Sequence, residues 1–231
     1  MTDTPTSRTR SRGWPSALAG FVTHRVEKLQ WSYLSPHGGH GRSTTVASLA
    51  RLRRAVASAP GADPFVWTET LEGLPIEYQG SDGEATPAEH AAHAAITLYA
   101  VHQQSKAIGM HQRDVSLGRA VARLAHRNPA TDAHDSDKQS PVLRRFLALG
   151  TATSFHETLH HARGLITQLR GASIPLDYGL LAYHLARLQR PSYADGVRLD
   201  WGRDYYFFTS DDTTDKAPSS ASSLTNDTIT Q

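Results

Sequence analysis

The segment 116–127 constrains the fold more than any other, because its residues repeat with the period of an α-helix. At about 100° per residue, five apolar residues share one side of such a helix: Leu117, Ala120, Val121, Leu124 and Ala125. Three arginines, spaced four apart, gather on nearly the opposite side: Arg119, Arg123 and Arg127. The apolar stripe predicts a contact with the core, and the cationic stripe predicts a solvated face or a phosphate contact.

Helical periodicity recurs along most of the chain, and no stretch of four or more β-branched residues alternates with polar ones. We therefore expect an all-α fold of about eight helices. The predicted helices cover residues 15–33, 43–58, 63–71, 86–106, 116–127, 138–149, 153–170 and 177–189. Arg190-Pro191 is expected to end the last of these, and 197–208 is expected to be a short strand or a last helical turn.

The chain has 231 residues, which suits one large domain or two small ones. A polar break near 128–137 predicts an N-terminal helical bundle over 14–127 and a C-terminal bundle over 138–208, packed together. The polar tails 1–13 and 209–231 are expected to be disordered. Cysteine is absent, no apolar run of about 18 residues exists, and the N-terminus carries no secretory apolar segment. These features predict a cytoplasmic protein without a membrane span.

Charge is segregated along the chain, although the formal net charge is only +2. Between residues 60 and 93 there is no lysine or arginine but there are seven acids: Asp63, Glu69, Glu72, Glu77, Asp82, Glu84 and Glu89. Basic residues dominate the segments on both sides. Such patches attract polyanions more strongly than the net charge suggests.

Arginines occur in three groups within predicted helices, and these are the candidate site residues: Arg51, Arg53 and Arg54; Arg119 and Arg123, continued by Arg127; and Arg144 and Arg145. Arginine binds phosphate through two donors at once, which suits a nucleic-acid backbone. No pattern typical of base recognition is present, whether RNP aromatics, a Gly-x-x-Gly clamp or a zinc finger. The arginines therefore predict salt-sensitive contact that does not depend on base sequence.

Residues 156–160 match the zinc-binding pattern H-E-x-x-H. On a helix, His156 and His160 would share a face and could bind Zn²⁺, with Glu157 as general base. The extended pattern requires glycine and histidine where this chain has Arg163 and Ile166, and no glutamate follows Glu157. A zinc-dependent hydrolase is therefore kept only as the second hypothesis. Under the leading hypothesis, no metal or other cofactor is expected.

Six short segments occur in an order and spacing that resemble the CasB family, the small subunits of the type I-E CRISPR surveillance complex Cascade. They are Leu49-Ala-Arg-Leu-Arg-Arg-Ala55, Leu98-Tyr-Ala-Val-His-Gln-Gln-Ser105, Ser116-Leu-Gly-Arg-Ala-Val121, Arg144-Arg-Phe-Leu-Ala-Leu149, Pro175-Leu-Asp-Tyr178 and Val197-Arg-Leu-Asp-Trp-Gly-Arg-Asp-Tyr205. The resemblance covers roughly residues 15–208.

The resemblance implies a helical, non-catalytic subunit that is present as two copies and stacks along the backbone subunits that hold the guide RNA. Its basic face would help to hold the target and displaced DNA strands, while pairing with the guide reads the sequence. The matching segments assign this contact to Arg53, Arg54, Arg119, Arg144 and Arg145. Arg51 and Arg123 are added on helical spacing alone.

A third hypothesis is a helical protein–protein adaptor. Its arginines would meet acidic partners, such as the 60–93 segment of a second copy.

Overall fold

The computed structural model describes residues 17–35, 39–81, 83–127 and 140–207. Within these residues the chain forms nine α-helices: α1 Ala17–Leu34, α2 Gly39–Arg54, α3 Pro64–Thr70, α4 Pro87–Gln103, α5 Leu117–Arg127, α6 Pro141–Thr151, α7 Phe155–Ala172, α8 Tyr178–Leu188 and α9 Pro191–Tyr206. Two short 3-10 helices, Ala55–Ala57 and Ile76–Tyr78, and an isolated parallel bridge between His111 and Leu176 complete the described secondary structure. The expected all-α fold is confirmed. The two predicted disordered tails lie outside the described residues.

Most helix starts follow the capping signals in the sequence. Thr86 accepts a hydrogen bond from the Glu89 backbone N–H, and Glu89 accepts one from the Thr86 N–H at 2.7 Å. This reciprocal capping box satisfies donors at the N-terminus of α4 that have no partner within the helix. Ser116 caps α5 with a single hydrogen bond, since its Oγ accepts from the Arg119 N–H at 3.2 Å.

The C-terminal helix α9 is the clearest departure from the sequence prediction. α8 ends before Arg190-Pro191, as expected, but Pro191 also begins a further helix, α9, which continues to Tyr206. A proline in the first turn fits a helix well, because the N–H it lacks would have had no intrahelical partner there. Trp201 then anchors α9: it is buried, and its Nε1 donates to His184 Nδ1 on α8 at 2.8 Å. The expectation of a strand or a single helical turn over 197–208 was therefore wrong.

The helices share one hydrophobic cluster that contains buried side chains from both predicted bundles. α4 lies at its centre, since every residue from Ala91 to Gln103 is buried. α8 packs against both α1 and α4, while α5 packs against α9. α7 packs against α4 on one side and α6 on the other. The boundaries of the two bundles stay a prediction.

In the described part of the chain, no helix is both long enough and apolar enough to span a bilayer.

Candidate nucleic-acid interface

Four arginines from two distant segments line one groove on the surface. Arg53 and Arg54 come from the end of α2, and Arg163 and Arg170 come from α7. The groove has a volume of about 390 Å³, and its remaining lining is Ala50, Val101, Gln104 and Thr167. None of the lining residues is acidic, so the recess has a strongly cationic wall. We call it the α2–α7 groove.

The groove charges are close enough to affect one another. Burial lowers the pKa of the half-buried Arg53 guanidinium, and the positive charges of Arg54 and Arg170 lower it further. A guanidinium stays protonated through such a shift, because its pKa starts above 12. Like charges held together repel, so an anion placed between them would relieve the repulsion.

Hydrogen bonds hold Arg170 at the inner end of the groove. Its Nη1 donates to Gln104 Oε1 at 2.8 Å and lies 3.5 Å from the Val101 carbonyl oxygen. Arg163 and Arg54 are exposed at the rim. Among the described residues, no carboxylate lies within ion-pair distance of Arg53, Arg54 or Arg163. Their charges are therefore not neutralised by the described part of the chain.

Arg145 contacts α7 at Gly164, the residue next to Arg163. Its side chain lies over Gly164, where an added Cβ would come within 2.8 Å of Arg145 Cδ. The absence of a side chain at Gly164 thus gives Arg145 room on α7. Arg144, the residue before Arg145, is exposed. Its side chain projects from α6 in a direction about 100° from that of Arg145.

The cationic stripe predicted for α5 has a different environment. Arg119 and Arg123 are half-buried, and α5 is packed against α9, α6 and α7. Arg127 donates to the Ala172 carbonyl oxygen at 2.7 Å, at the C-terminal end of α7. A cation there stabilises the last turn of α7, because unpaired carbonyl groups give that end a partial negative charge. The amphipathic helix is confirmed, but its last arginine is engaged with backbone.

Arg51 lies outside the α2–α7 groove. Its guanidinium carbon is 4.7 Å from the centre of the Phe65 ring on α3. It lines a smaller recess together with Ser48 and Glu69. The three arginines at the C-terminal end of α2 are consequently divided between two recesses.

The H-E-x-x-H segment forms the N-terminal part of α7. Glu157 Oε2 accepts hydrogen bonds from the Thr153 N–H at 2.9 Å and the Thr153 hydroxyl at 3.2 Å. These bonds lower the pKa of Glu157 and turn its carboxylate toward the preceding loop. Across the described ranges, no three His, Asp or Glu side chains lie close enough together to hold a metal ion. Glu157 therefore acts here as a helix-capping group.

Arg163 and Arg170 line the groove but are not among the candidate residues predicted from the sequence. They are seven residues apart and share one face of α7 with Thr167, a spacing that could have been noticed. Nothing in the spacing shows that Arg53 and Arg54, more than a hundred positions earlier, face them. That placement depends on α2 and α7 both packing against α4.

Comparison with known proteins identifies the family. Residues 48–206 match the model of the family described as CRISPR-associated protein Cse2. The chain belongs to the Cse2 family. All four arginines of the α2–α7 groove lie inside the matched segment.

Two solved structures resemble this Cse2-family chain. The crystal structure of CasB from Thermobifida fusca is 34% identical and has a TM-score of 0.64; the match covers 82% of this chain and 97% of that one. The crystal structure of M. ruber CasB is 20% identical with a TM-score of 0.54, covers the same shares, and supports the fold alone. No curated protein matches the chain. The resemblance to the CasB family is thereby confirmed.

Proposed function

We propose that this chain is a non-catalytic small subunit of a type I-E Cascade complex, and that it holds nucleic-acid backbone through the α2–α7 groove and the adjoining Arg145. The observation that carries the proposal is the meeting of four arginines from α2 and α7 in one recess whose lining includes no acid. Family membership supplies the CRISPR context.

The chemistry of the groove suits a phosphate group. Guanidinium groups donate two parallel hydrogen bonds to a phosphate, and Arg53, Arg54 and Arg163 have donors free of described carboxylates. No aromatic side chain lines the groove on which a base could stack. Contact with the sugar–phosphate backbone, independent of base sequence, follows from this composition.

The partners follow from the family. They are the other Cascade subunits, including the guide-RNA-binding backbone subunits, a second copy of this chain, and the guide RNA with its target and displaced DNA strands. Arg119, Arg123 and Arg144 stay in the proposal as secondary contacts, because their helices α5 and α6 pack against α7. Arg51 has the weakest claim, since its guanidinium lies over Phe65.

The proposal is tested with Cascade reconstituted from the full-length chain, its partner subunits and a guide RNA. Replacing Arg53 and Arg163 by glutamine removes one charge from each wall of the groove. Each lost phosphate contact lowers the slope of log K against log salt by about 0.7 to 0.9, so we expect the double variant to lower it by about 1.5 and to retain DNA less well. Arg190→Gln is the matched control, because Arg190 is exposed at the start of α9, away from the groove.

Unchanged DNA retention by the double variant across the salt series would refute the proposal. Weaker Cascade assembly by the same variant, with unchanged DNA binding by the complexes that do assemble, would favour the adaptor hypothesis instead. Neither Arg53 nor Arg163 is fully buried, so we expect both variants to fold. Circular dichroism of each variant checks that the helices are intact.

A further inference from the structure

The exposed face of α7 continues well beyond the groove. Five side chains recur at helical spacing along it: His156, His160, Arg163, Thr167 and Arg170. On an α-helix these positions fall within an arc of about 80° and extend over about 21 Å. The first four are exposed and the last is half-buried. We call this set the α7 basic face.

The two histidines at the start of this face are the pair that made the segment resemble a zinc motif. The carboxylate that such a motif needs is turned away from them, because Glu157 accepts its hydrogen bonds from Thr153. The nearest histidine to Glu157 is His161, whose Nε2 lies 3.8 Å from Glu157 Oε1. His160 packs edge-on against the His161 ring, with the ring centres 5.3 Å apart. His156 and His160 therefore face outward without Glu157 between them.

The helices that pack around α7 add positive rather than negative charge to this side. The titratable and charged groups that described contacts place against α7 or its C-cap are Arg145 on α6, Arg53 and Arg54 on α2, His90 and buried His102 on α4, Lys106 after α4, and Arg127 on α5. An anion lying along α7 would thus meet imidazole or guanidinium side chains at four of the five positions, while the Thr167 hydroxyl donates to the Arg163 carbonyl oxygen. The only carboxylate on α7 is Glu157.

We propose that His156 and His160 extend the nucleic-acid interface along α7, each donating a ring N–H to a backbone phosphate next to those held by Arg163 and Arg170. The inference rests on the proposed function and deepens it. It assigns the H-E-x-x-H segment to phosphate binding and makes the ligand one continuous strand that runs along the helix. A protonated imidazole has two N–H donors and a positive charge, both of which suit a phosphate oxygen.

The test uses the ordinary chemistry of imidazole, which gains a proton between about pH 8 and about pH 5. Binding of a labelled single-stranded DNA to the full chain is measured against salt at about pH 8 and about pH 6, with EDTA present to exclude metal bridging. For the wild type we expect a steeper salt slope at the lower pH, by about 1, because one to two additional cationic contacts form. The variant His156→Gln/His160→Gln is expected to show nearly the same slope at both pH values.

Two further variants separate the possible failures. His24→Gln is the matched control, because His24 is an exposed histidine on α1, where its charge lowers the pKa of Glu27. We expect this substitution to leave the pH effect on DNA binding unchanged. Arg163→Gln is expected to weaken binding at both pH values. If Arg163→Gln weakens binding while the double histidine variant keeps the wild-type pH effect, this inference is wrong and the proposed function stands. If neither changes binding, both are wrong.

Discussion

At the scale of single residues, neighbours decide which arginines can hold a phosphate. Arg53 and Arg127 are the same residue type at the ends of amphipathic helices, yet Arg53 faces two other arginines and Arg127 donates to a backbone carbonyl. Arg51 belongs to the same cluster in sequence as Arg53 but lies over the Phe65 ring. The spacing of residues within a helix sets the direction in which each side chain projects from the axis. Whether an arginine is available to a phosphate depends on the residues that neighbouring helices place beside it.

Residue burial also predicts how stability depends on pH. His102 is fully buried, and its Nδ1 lies 2.8 Å from the Tyr178 hydroxyl. Burial lowers the pKa of His102 to about 3 and also lowers that of His93. Below about pH 6.5 the unfolded chain binds protons that the folded chain does not, so stability falls as pH falls. We expect His102 alone to cost about 2 kcal/mol between about pH 7 and about pH 5.

The measurement is urea unfolding at both pH values for the wild type and for His102→Gln, whose side chain does not titrate. The variant is expected to lose less stability on acidification, whatever its stability at neutral pH. Burial raises the pKa of Asp177, which makes stability rise as pH falls, opposite to the effect of His102. Because Asp177 is present in both proteins, the difference between their losses reports on His102. Equal losses in the two proteins would contradict the assignment.

At the scale of elements, close helix contacts depend on glycines at particular positions. Gly118 on α5 lies directly against α9, where an added Cβ would collide with the Trp201 carbonyl oxygen. Gly20 on α1, by contrast, has nothing within 4 Å of such an atom. One glycine lets two helices approach, and the other only weakens the helix in which it lies.

Alanine at these two positions should consequently change stability in opposite directions. Gly118→Ala pushes α5 from the α9 backbone, and overpacking of this kind costs about 1 to 3 kcal/mol. Gly20→Ala adds a better helix former in open space and should gain up to about 1 kcal/mol. Chemical denaturation of both variants checks this, and a stable Gly118→Ala protein would mean that α5 and α9 are less tightly packed than described.

At the scale of the whole molecule, the two predicted bundles contribute to one core. α8, from the C-terminal half, packs against α1 and α4, while Trp201 of α9 is buried beside α5 and α8. Elements that share a core lose their contacts together. The halves of the chain are therefore coupled through α8.

We expect this coupling to appear as a single unfolding transition. A variant that keeps Trp201 and replaces the other three tryptophans by phenylalanine reports on the α5–α9 contact by fluorescence, while circular dichroism reports on all helices. The two denaturation curves should have the same midpoint. Separate midpoints would show that the predicted bundles, 14–127 and 138–208, unfold independently.

Much of the helical architecture was predictable, because each helix carries its own signals. The Thr86–Glu89 capping box and the apolar stripe of α5 lie within a few residues, and both are present in the structure. α9 was missed because Pro191 was interpreted only as the end of α8. Pro191 follows α8 and also lies in the first turn of α9, a position that suits proline as well.

The candidate site was only half predictable for a related reason. Arg53, Arg54 and Arg145 could be chosen as candidate phosphate ligands because they lie in arginine groups of the sequence. The ordered short segments indicated the family. Arg163 and Arg170 were not included, since their importance comes from facing Arg53 and Arg54 across the groove.

The helical class, the helix caps and the excess of arginine over acid outside 60–93 can all be predicted without a structure, because they depend on neighbouring residues or on composition. Which arginines share a surface depends on how the helices pack. Residues a hundred positions apart meet when α2 and α7 both pack on α4, and that contact arises from the common hydrophobic core and not from any local pattern.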